Sequence, residues 1–65
     1  MKIRYFEDTD ALYIKLRFGS LAETRDLDEK TLVDVDDAGQ MLSITIEHAQ
    51  ARAELPTFSY HQIAV

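Results

Sequence analysis

The chain has 65 residues, of which 46% are hydrophobic and 29% are charged, with a net charge of −5 and no cysteine. This composition excludes intrinsic disorder, disulfides and thiolate metal sites, and no window approaches the ~18 apolar residues of a membrane span. The start MKIRYFED lacks the apolar segment of a signal peptide, so we expect a cytoplasmic protein with no membrane segment. So short a chain predicts a single domain, residues 1–65, whose marginal core favours association with another chain.

Two strands joined by a turn are predicted at the N-terminus. The segment KIRYF alternates apolar Ile3 and Tyr5 with basic residues. The segment ALYIKLR alternates in the same way and places Leu12, Ile14 and Leu16 on one face. The residues between the two segments, EDTD, are turn formers, which indicates a hairpin.

The middle of the chain predicts three more strands. After the turn residues FGS, the segment LAETRDL has few large apolar residues and is interpreted as a charged edge strand. The segments TLVDVD and MLSITIE both alternate at period two. Between them, DAGQ supplies Gly39 for the left-handed position of a hairpin loop.

A calcium loop is the alternative for the segment DVDDAGQM, because Asp34, Asp36 and Gly39 match the start of the pattern D-x-D-x-x-G. An EF-hand loop also needs a ligand where Ala38 stands, a bidentate glutamate where Thr45 stands, and helical flanks. The hairpin is therefore favoured. It predicts that Asp34 and Asp36 simply point into solvent.

The C-terminal part of the chain begins with helix-forming residues in place of alternating apolar and polar ones. The segment HAQARAEL contains good helix formers and Pro56 disfavours continuation, so a helix of about two turns is predicted between His48 and Leu55. The tail TFSYHQIAV is strand-like, with Phe58 and Tyr60 alternating. We expect it to fold back beside the sheet or to add to another subunit.

Together these elements predict an α+β, mostly β domain. It is an antiparallel β-meander of four or five strands with a short C-terminal helix and a strand-like tail. One face of the sheet needs a cover, which the helix supplies only in part. The predicted core consists of Ile3, Tyr5, Leu12, Ile14, Leu16, Val33, Val35, Leu42, Ile44 and Ile46.

The charge pattern narrows the class of partner. Phosphate backbones need clustered cations, and the basic residues here are scattered along the sequence, so we expect no direct contact with nucleic acid. The net negative charge favours a basic protein partner through long-range attraction. The basic residues are Lys2, Arg4, Lys15, Arg17, Arg25, Lys30 and Arg52.

The candidates for a metal or acid-base site are His48, His61, Glu7, Asp8 and Asp10. The histidines lack H-x-x-x-H or H-E-x-x-H spacing, and the carboxylates of EDTD are ordinary turn residues. The sequence also has no G-x-S-x-G elbow and no glycine-rich loop. We therefore predict no enzyme activity, no catalytic residue, no cofactor and no metal.

Five residues are predicted to lie at an interface: Tyr13, Arg17, Phe58, Tyr60 and Ile63. Tyrosine and arginine are enriched at interfaces, and an apolar terminal segment is rarely left in water. For Tyr13 a plain solvated surface is an equal alternative. We expect Phe58 to be buried.

Two stretches, MKIRYFEDTDALYIKL and AETRDLDEKTLVDVDDAGQMLSITIEHA, together resemble the small bacterial domain-of-unknown-function family numbered 2283. The resemblance covers residues 1–49, with the strand D-A-L-Y-I, the strand E-T-R and the hairpin V-D-V-D-x-x-G-x-M-x-x-I-x-I. Residues 50–65, the rest of the helix and the tail, complete the domain. The resemblance implies a compact β-meander with a C-terminal helix and no established activity. Because members of this family are often paired with small putative toxins, it also implies an antitoxin-like role.

Three functional hypotheses follow. The leading one is a non-catalytic protein-interaction module, the antitoxin-like partner of a small basic toxin. The first alternative is a self-associating, homodimeric structural domain of unknown role. The second is a metal-dependent hydrolytic enzyme that uses the acidic turns and His48.

Overall fold

The computed structural model describes residues 1–55 and 57–64; Pro56 and Val65, where the predicted helix stop and the end of the tail fall, lie outside the described residues. The predicted strands are all confirmed. The elements are β1 (Lys2–Phe6), β2 (Ala11–Lys15), β3 (Glu23–Asp28), β4 (Thr31–Val35), β5 (Met41–Glu47) and α1 (Ala49–Arg52). No helix in the described part of the chain is long and apolar enough to cross a membrane.

The five strands form one antiparallel sheet in the order β1-β2-β5-β4-β3. The predicted mostly-β fold with a short helix is thus confirmed. The order departs from a strict meander at one connection: the consecutive strands β2 and β3 are not neighbours, because β5 and β4 lie between them. Residues 16–22 therefore form a crossover segment that carries the chain from β2 past the start of β5 to β3. β5 is the longest strand and lies at the centre of the sheet. β1 and β3 form its two edges.

One face of the sheet is apolar. Side chains directly opposite each other in neighbouring strands point to the same side, so the register defines the two faces. Helix α1 lies on the apolar face, because Arg52 Nη2 donates a hydrogen bond to Thr31 Oγ1 at 2.8 Å. The face has two rows that run across the sheet from β1: Ile3, Ile14, Ile44, Val33 and Arg25 in the first, and Tyr5, Leu12, Ile46 and Thr31 in the second.

The core is smaller than the sequence predicts. Four predicted core residues are buried, namely Leu12, Val33, Val35 and Leu42. Tyr5, Ile14, Ile44 and Ile46 are half-buried. The prediction is wrong for Ile3 and Leu16, each of which is 36% exposed. A helix of four residues covers only part of a five-stranded face, so the margin of the apolar face stays open to solvent.

Helix α1 is also shorter than predicted, spanning Ala49–Arg52 instead of His48–Leu55. His48 precedes the helix in the left-handed region at φ 53°, and Ala53 ends it with an extended backbone at φ −148°. The turn between β1 and β2 holds the start of the helix. There the carbonyl of Asp10 accepts the Ala49 N–H at 2.9 Å. Tertiary contacts at this turn, rather than helix propensity, thus fix where the helix begins.

Leu42 is the extra residue of a β-bulge in β5, because the pairing with β4 skips it. Its carbonyl accepts the backbone N–H of Leu16 at 2.8 Å. A Cβ placed on Gly19 would lie 2.7 Å from Leu42 Cδ2, so a larger residue at this position would require the end of the Leu42 side chain to move. The bulge and Gly19 together place the crossover segment over the start of β5.

The loop between β4 and β5 is held by Asp36. Its Oδ1 accepts the N–H of Ala38 at 3.0 Å and of Gln40 at 2.9 Å. Its carbonyl accepts the N–H of Gly39, which has the predicted left-handed φ of 79°. The hairpin is confirmed, but the expectation that Asp36 simply points into solvent is wrong, because its carboxylate bonds to the loop backbone.

Candidate functional site

The second face of the sheet, which we call the charged face, changes sign from one edge to the other. It consists of two rows that lie opposite each other across all five strands. From β1 to β3 the rows are Lys2, Lys15, Ser43, Asp34 and Thr24, and Arg4, Tyr13, Thr45, Leu32 and Asp26. The first row has Lys2 and Lys15 at its β1–β2 end and Asp34 on β4, and the second row has Arg4 on β1 and Asp26 on β3. One half of the face is therefore positively charged and the other half is negatively charged.

The cationic half of the charged face contains a groove of about 300 Å³, lined by Lys2, Arg4, Phe6, Tyr13 and Lys15. The ammonium group of Lys15 lies 4.2 Å from the ring centroid of Phe18, close enough for a cation–π interaction. The expectation that the basic residues form no patch is wrong for Lys2, Arg4 and Lys15, because the register of the β1–β2 hairpin places them side by side.

Asp34 anchors the acidic half of the charged face. It is half-buried, and the expectation that it points into solvent is wrong. Thr24 Oγ1 donates to Asp34 Oδ1 at 2.6 Å, and Ser43 Oγ donates to Asp34 Oδ2 at 2.8 Å. Because Ser43 is 2% exposed, its hydroxyl needs a partner within the protein, and the carboxylate supplies it.

An apolar groove of about 370 Å³ lies at the β1 edge of the apolar face, lined by Met1, Ile3, Phe58 and Tyr60. The tail therefore runs back beside the sheet, but residues 57–64 form no strand. Phe58 is 64% exposed in the single chain, so its burial at an interface stays a prediction. The two aromatic rings of the tail lie beside Met1 and Ile3, at the β1 margin of the sheet.

The five predicted interface residues lie on different parts of the molecule. Tyr13 and Arg17 line one depression on the charged face, which the crossover segment bounds through Gly19 and Leu21. The guanidinium of Arg17 donates to the side-chain carbonyl of Gln40. Phe58 and Tyr60 line the apolar groove instead. Ile63 is 80% exposed and lines neither groove.

The candidate catalytic carboxylate Asp10 takes part in structural hydrogen bonds. Its Oδ1 accepts the hydroxyl of Tyr5 at 2.6 Å and the N–H of Gln50 at 3.1 Å. The bond from Tyr5 stabilises the neutral phenol, and with the negative charge of Asp10 it raises the pKa of Tyr5 to about 12. Asp10 thus links β1 to the start of the helix, a role its place in a turn does not reveal.

The other acid-base candidates form no metal site in the part of the chain that the structure describes. Within residues 1–55 and 57–64, no three histidine, aspartate or glutamate side chains come together in a way that could hold a metal ion. Asp28, an acidic residue at the end of β3, accepts the backbone N–H of Lys30 at 2.8 Å, and this bond lowers the pKa of the Asp28 carboxyl. Its surroundings are those of an ordinary turn.

The fold and these surfaces define a class: a small antiparallel β domain with an open apolar groove on one face and a charge-divided surface on the other. The sequence model of a family described as "Protein of unknown function (DUF2283)" matches residues 2–50. The chain belongs to this family, which confirms the resemblance. The match spans all five strands and hence the whole charged face, and it ends before the tail that completes the apolar groove. No curated protein and no solved structure matches the chain.

Proposed function

We propose that this protein is a non-catalytic protein-interaction module whose apolar groove binds another polypeptide. The observation that carries this proposal is the exposure of large apolar side chains that lie together. Met1, Phe58 and Tyr60 are 74%, 64% and 69% exposed, and with Ile3 they line one groove. Burying such a side chain fully stabilises an assembly by about 1.5–3 kcal/mol, so a partner that fills the groove gains several such contributions.

A small basic protein is the partner that fits the charge of the chain. The β3–β4 hairpin, residues 23–35, contains five acidic and two basic residues and so carries a net charge of −3, more than half of the −5 of the whole chain. Every residue of β3 is exposed, and one edge of this strand has no neighbour in the sheet. An exposed edge accepts an added strand, and the acidic side chains attract a basic one. This supports the antitoxin-like role, in which the chain neutralises a small basic toxin.

Affinity purification of the full chain from its own cells, followed by mass spectrometry, tests the proposal. We expect one small basic protein to be recovered in stoichiometric amount with the wild type. The double substitution Phe58→Ser with Tyr60→Ser should lose that protein, because it removes both aromatic rings from the groove. Leu21→Ser is the matched control, since Leu21 is 59% exposed but does not line the groove.

Two outcomes would count against the proposal. Recovery of the chain alone, as a defined oligomer, would favour the self-associating structural domain instead. Retention of the partner by the groove variant at the level of the Leu21→Ser control would move the binding surface away from the groove. If a basic protein is recovered, growth arrest on its expression alone, relieved by co-expression of this chain, is the result that toxin neutralisation predicts.

A further inference from the structure

We infer that β1 accepts an added strand, and that its occupant is an extended segment of a partner protein in which apolar and acidic residues alternate. The inference rests on the proposed function, because the apolar residues of that segment enter the groove already proposed as the binding site. It adds the conformation and the sequence pattern of the segment that binds there.

β1 is an edge strand whose outer side has no backbone partner in the described part of the chain. It pairs with β2 alone. The tail runs back beside it, but within residues 57–64 no backbone group bonds to the backbone of β1. Four of the five residues of β1 are exposed. An extended segment of the same length therefore meets a free row of backbone donors and acceptors about 17 Å long.

Two grooves lie on opposite sides of β1. Ile3 lines the apolar groove on one face of the sheet. Lys2, Arg4 and Phe6 line the groove of about 300 Å³ on the other face, which we call the cationic groove. Alternate residues of a strand point to opposite faces, and a strand added to β1 continues this alternation. One set of its side chains therefore lies at the apolar groove and the other set at the cationic groove.

The cationic groove selects acidic residues in the added strand. Lys2, Arg4 and Lys15 line this groove, and none of its lining residues is a carboxylate. Lys2 and Arg4 form no ion pair within the described part of the chain. Carboxylates on the added strand supply the opposite charge, whereas a second copy of β1 would bring the same two cations again and is disfavoured.

The crossover segment leaves this margin of the charged face open. Through Gly19 and Leu21 it bounds a depression nearer the centre of the sheet. No residue of the segment 16–22 lines the cationic groove, and all three β1 residues of that groove are exposed. An added strand lies beyond β1, on the side away from β2, so it extends the sheet without displacing the crossover segment.

The other edge of the sheet selects a segment of different chemistry. β3 carries Glu23, Asp26 and Asp28, and none of its residues lines the apolar groove. A basic strand is favoured there, as argued above for a basic partner. The two edges therefore prefer segments of opposite charge, and a partner that is basic as a whole meets β1 through a segment whose charged residues are acidic.

The test titrates the full chain, labelled with ¹⁵N, with a capped peptide of about six residues in which valine and glutamate alternate. Backbone amide signals in NMR report where it binds and how tightly. We expect the signal changes to centre on β1 and not on β3. A matched peptide with lysine in place of glutamate should bind β1 at least about tenfold more weakly, because several close charge pairs change from attraction to repulsion.

Amide hydrogen exchange distinguishes strand addition from a peptide that only rests in the grooves. In β1, the N–H groups that point away from β2 lack a backbone partner, and an added strand gives them one. With the valine–glutamate peptide at ten times its dissociation constant, these amides should exchange about tenfold more slowly. Contact through side chains alone would leave their exchange unchanged.

A charge reversal in the chain tests the role of the cationic groove. Arg4→Glu should weaken the valine–glutamate peptide at least about fivefold. Lys30→Glu is the matched control, because it makes the same charge change in the turn after β3, outside both grooves, and it should leave the affinity within about twofold of the wild type. Circular dichroism checks that both variants are folded.

Three results would overturn the inference: signal changes that centre on β3 or on no strand, unchanged exchange of the β1 amides, or equal binding of the lysine and glutamate peptides at β1. None of them touches the proposed function, because recovery of a partner from cells and its loss from the groove variant require no added strand. Failure to recover any partner would instead count against the proposed function while peptide binding at β1 persists.

Discussion

The substitution Asp36→Ala tests how the chain holds its central hairpin. The carboxylate of Asp36 accepts two backbone hydrogen bonds, from Ala38 at 3.0 Å and from Gln40 at 2.9 Å. Alanine removes both acceptors, and water replaces them only in part because the loop must stay closed. Comparable capping substitutions cost about 0.5–2 kcal/mol, and the acceptor here is charged, so we expect Asp36→Ala to reduce the free energy of unfolding by about 1–2 kcal/mol.

Urea denaturation followed by circular dichroism measures this change, with thermal melting as a second probe. For a chain of this size, the expected loss lowers the melting temperature by about 7 to 15 °C. Asp36→Asn keeps a side-chain oxygen at the same position and should lose about half as much. Asp37→Ala is the matched control, because Asp37 is the exposed neighbour in the same loop and should change the free energy by less than about 0.5 kcal/mol.

If Asp36→Ala and Asp37→Ala unfolded at the same urea concentration, the two hydrogen bonds to the Asp36 carboxylate would contribute nothing beyond what water supplies. Asp36 would then behave as a residue that simply points into solvent.

Three further predictions concern single residues. The raised pKa of Tyr5 means that the fold favours the neutral phenol, so the hydrogen bond from Tyr5 to Asp10 should contribute fully to stability below pH ~10. That contribution should be lost as the pH rises towards about 12. Ultraviolet titration should show that Asp10→Asn returns the Tyr5 pKa towards its ordinary value. Gly39→Ala should cost about 1 kcal/mol in urea denaturation through backbone strain alone, since φ is 79° and an added Cβ meets no atom within 4 Å; an unchanged midpoint would contradict this. Val33→Ala should cost about 2 kcal/mol because Val33 is 2% exposed, whereas Leu27→Ala, at a 63% exposed position, should cost about 0.5 kcal/mol or less.

The strands could be predicted from the sequence because their signal is local. In β2 and β5, apolar and polar residues alternate at period two, and this pattern depends only on neighbouring positions. Gly39 likewise indicates its loop, because few other residues adopt its positive φ. The order of the strands is not local. The crossover of residues 16–22 depends on the bulge at Leu42 and on the close approach of Gly19, which no periodicity predicts.

The candidate surfaces were less predictable than the fold, and the reason is register. Lys2 and Lys15 are 13 positions apart in the sequence but are direct partners across the first hairpin. Reading the hairpin register from the turn EDTD would have brought them together. The environment of Asp34 could not be read in this way, because its partners Thr24 and Ser43 come from two different strands. Their proximity depends on the complete strand order.

The native mass of the complex purified from the protein's own cells shows whether the chain binds another polypeptide. One copy of the chain has a mass of 7.5 kDa. We expect a complex that contains this chain together with a small basic protein, so its mass should equal a whole multiple of 7.5 kDa plus the mass of that partner. A complex whose mass is a whole multiple of 7.5 kDa, with no second protein, would contradict the role as a module for binding another polypeptide.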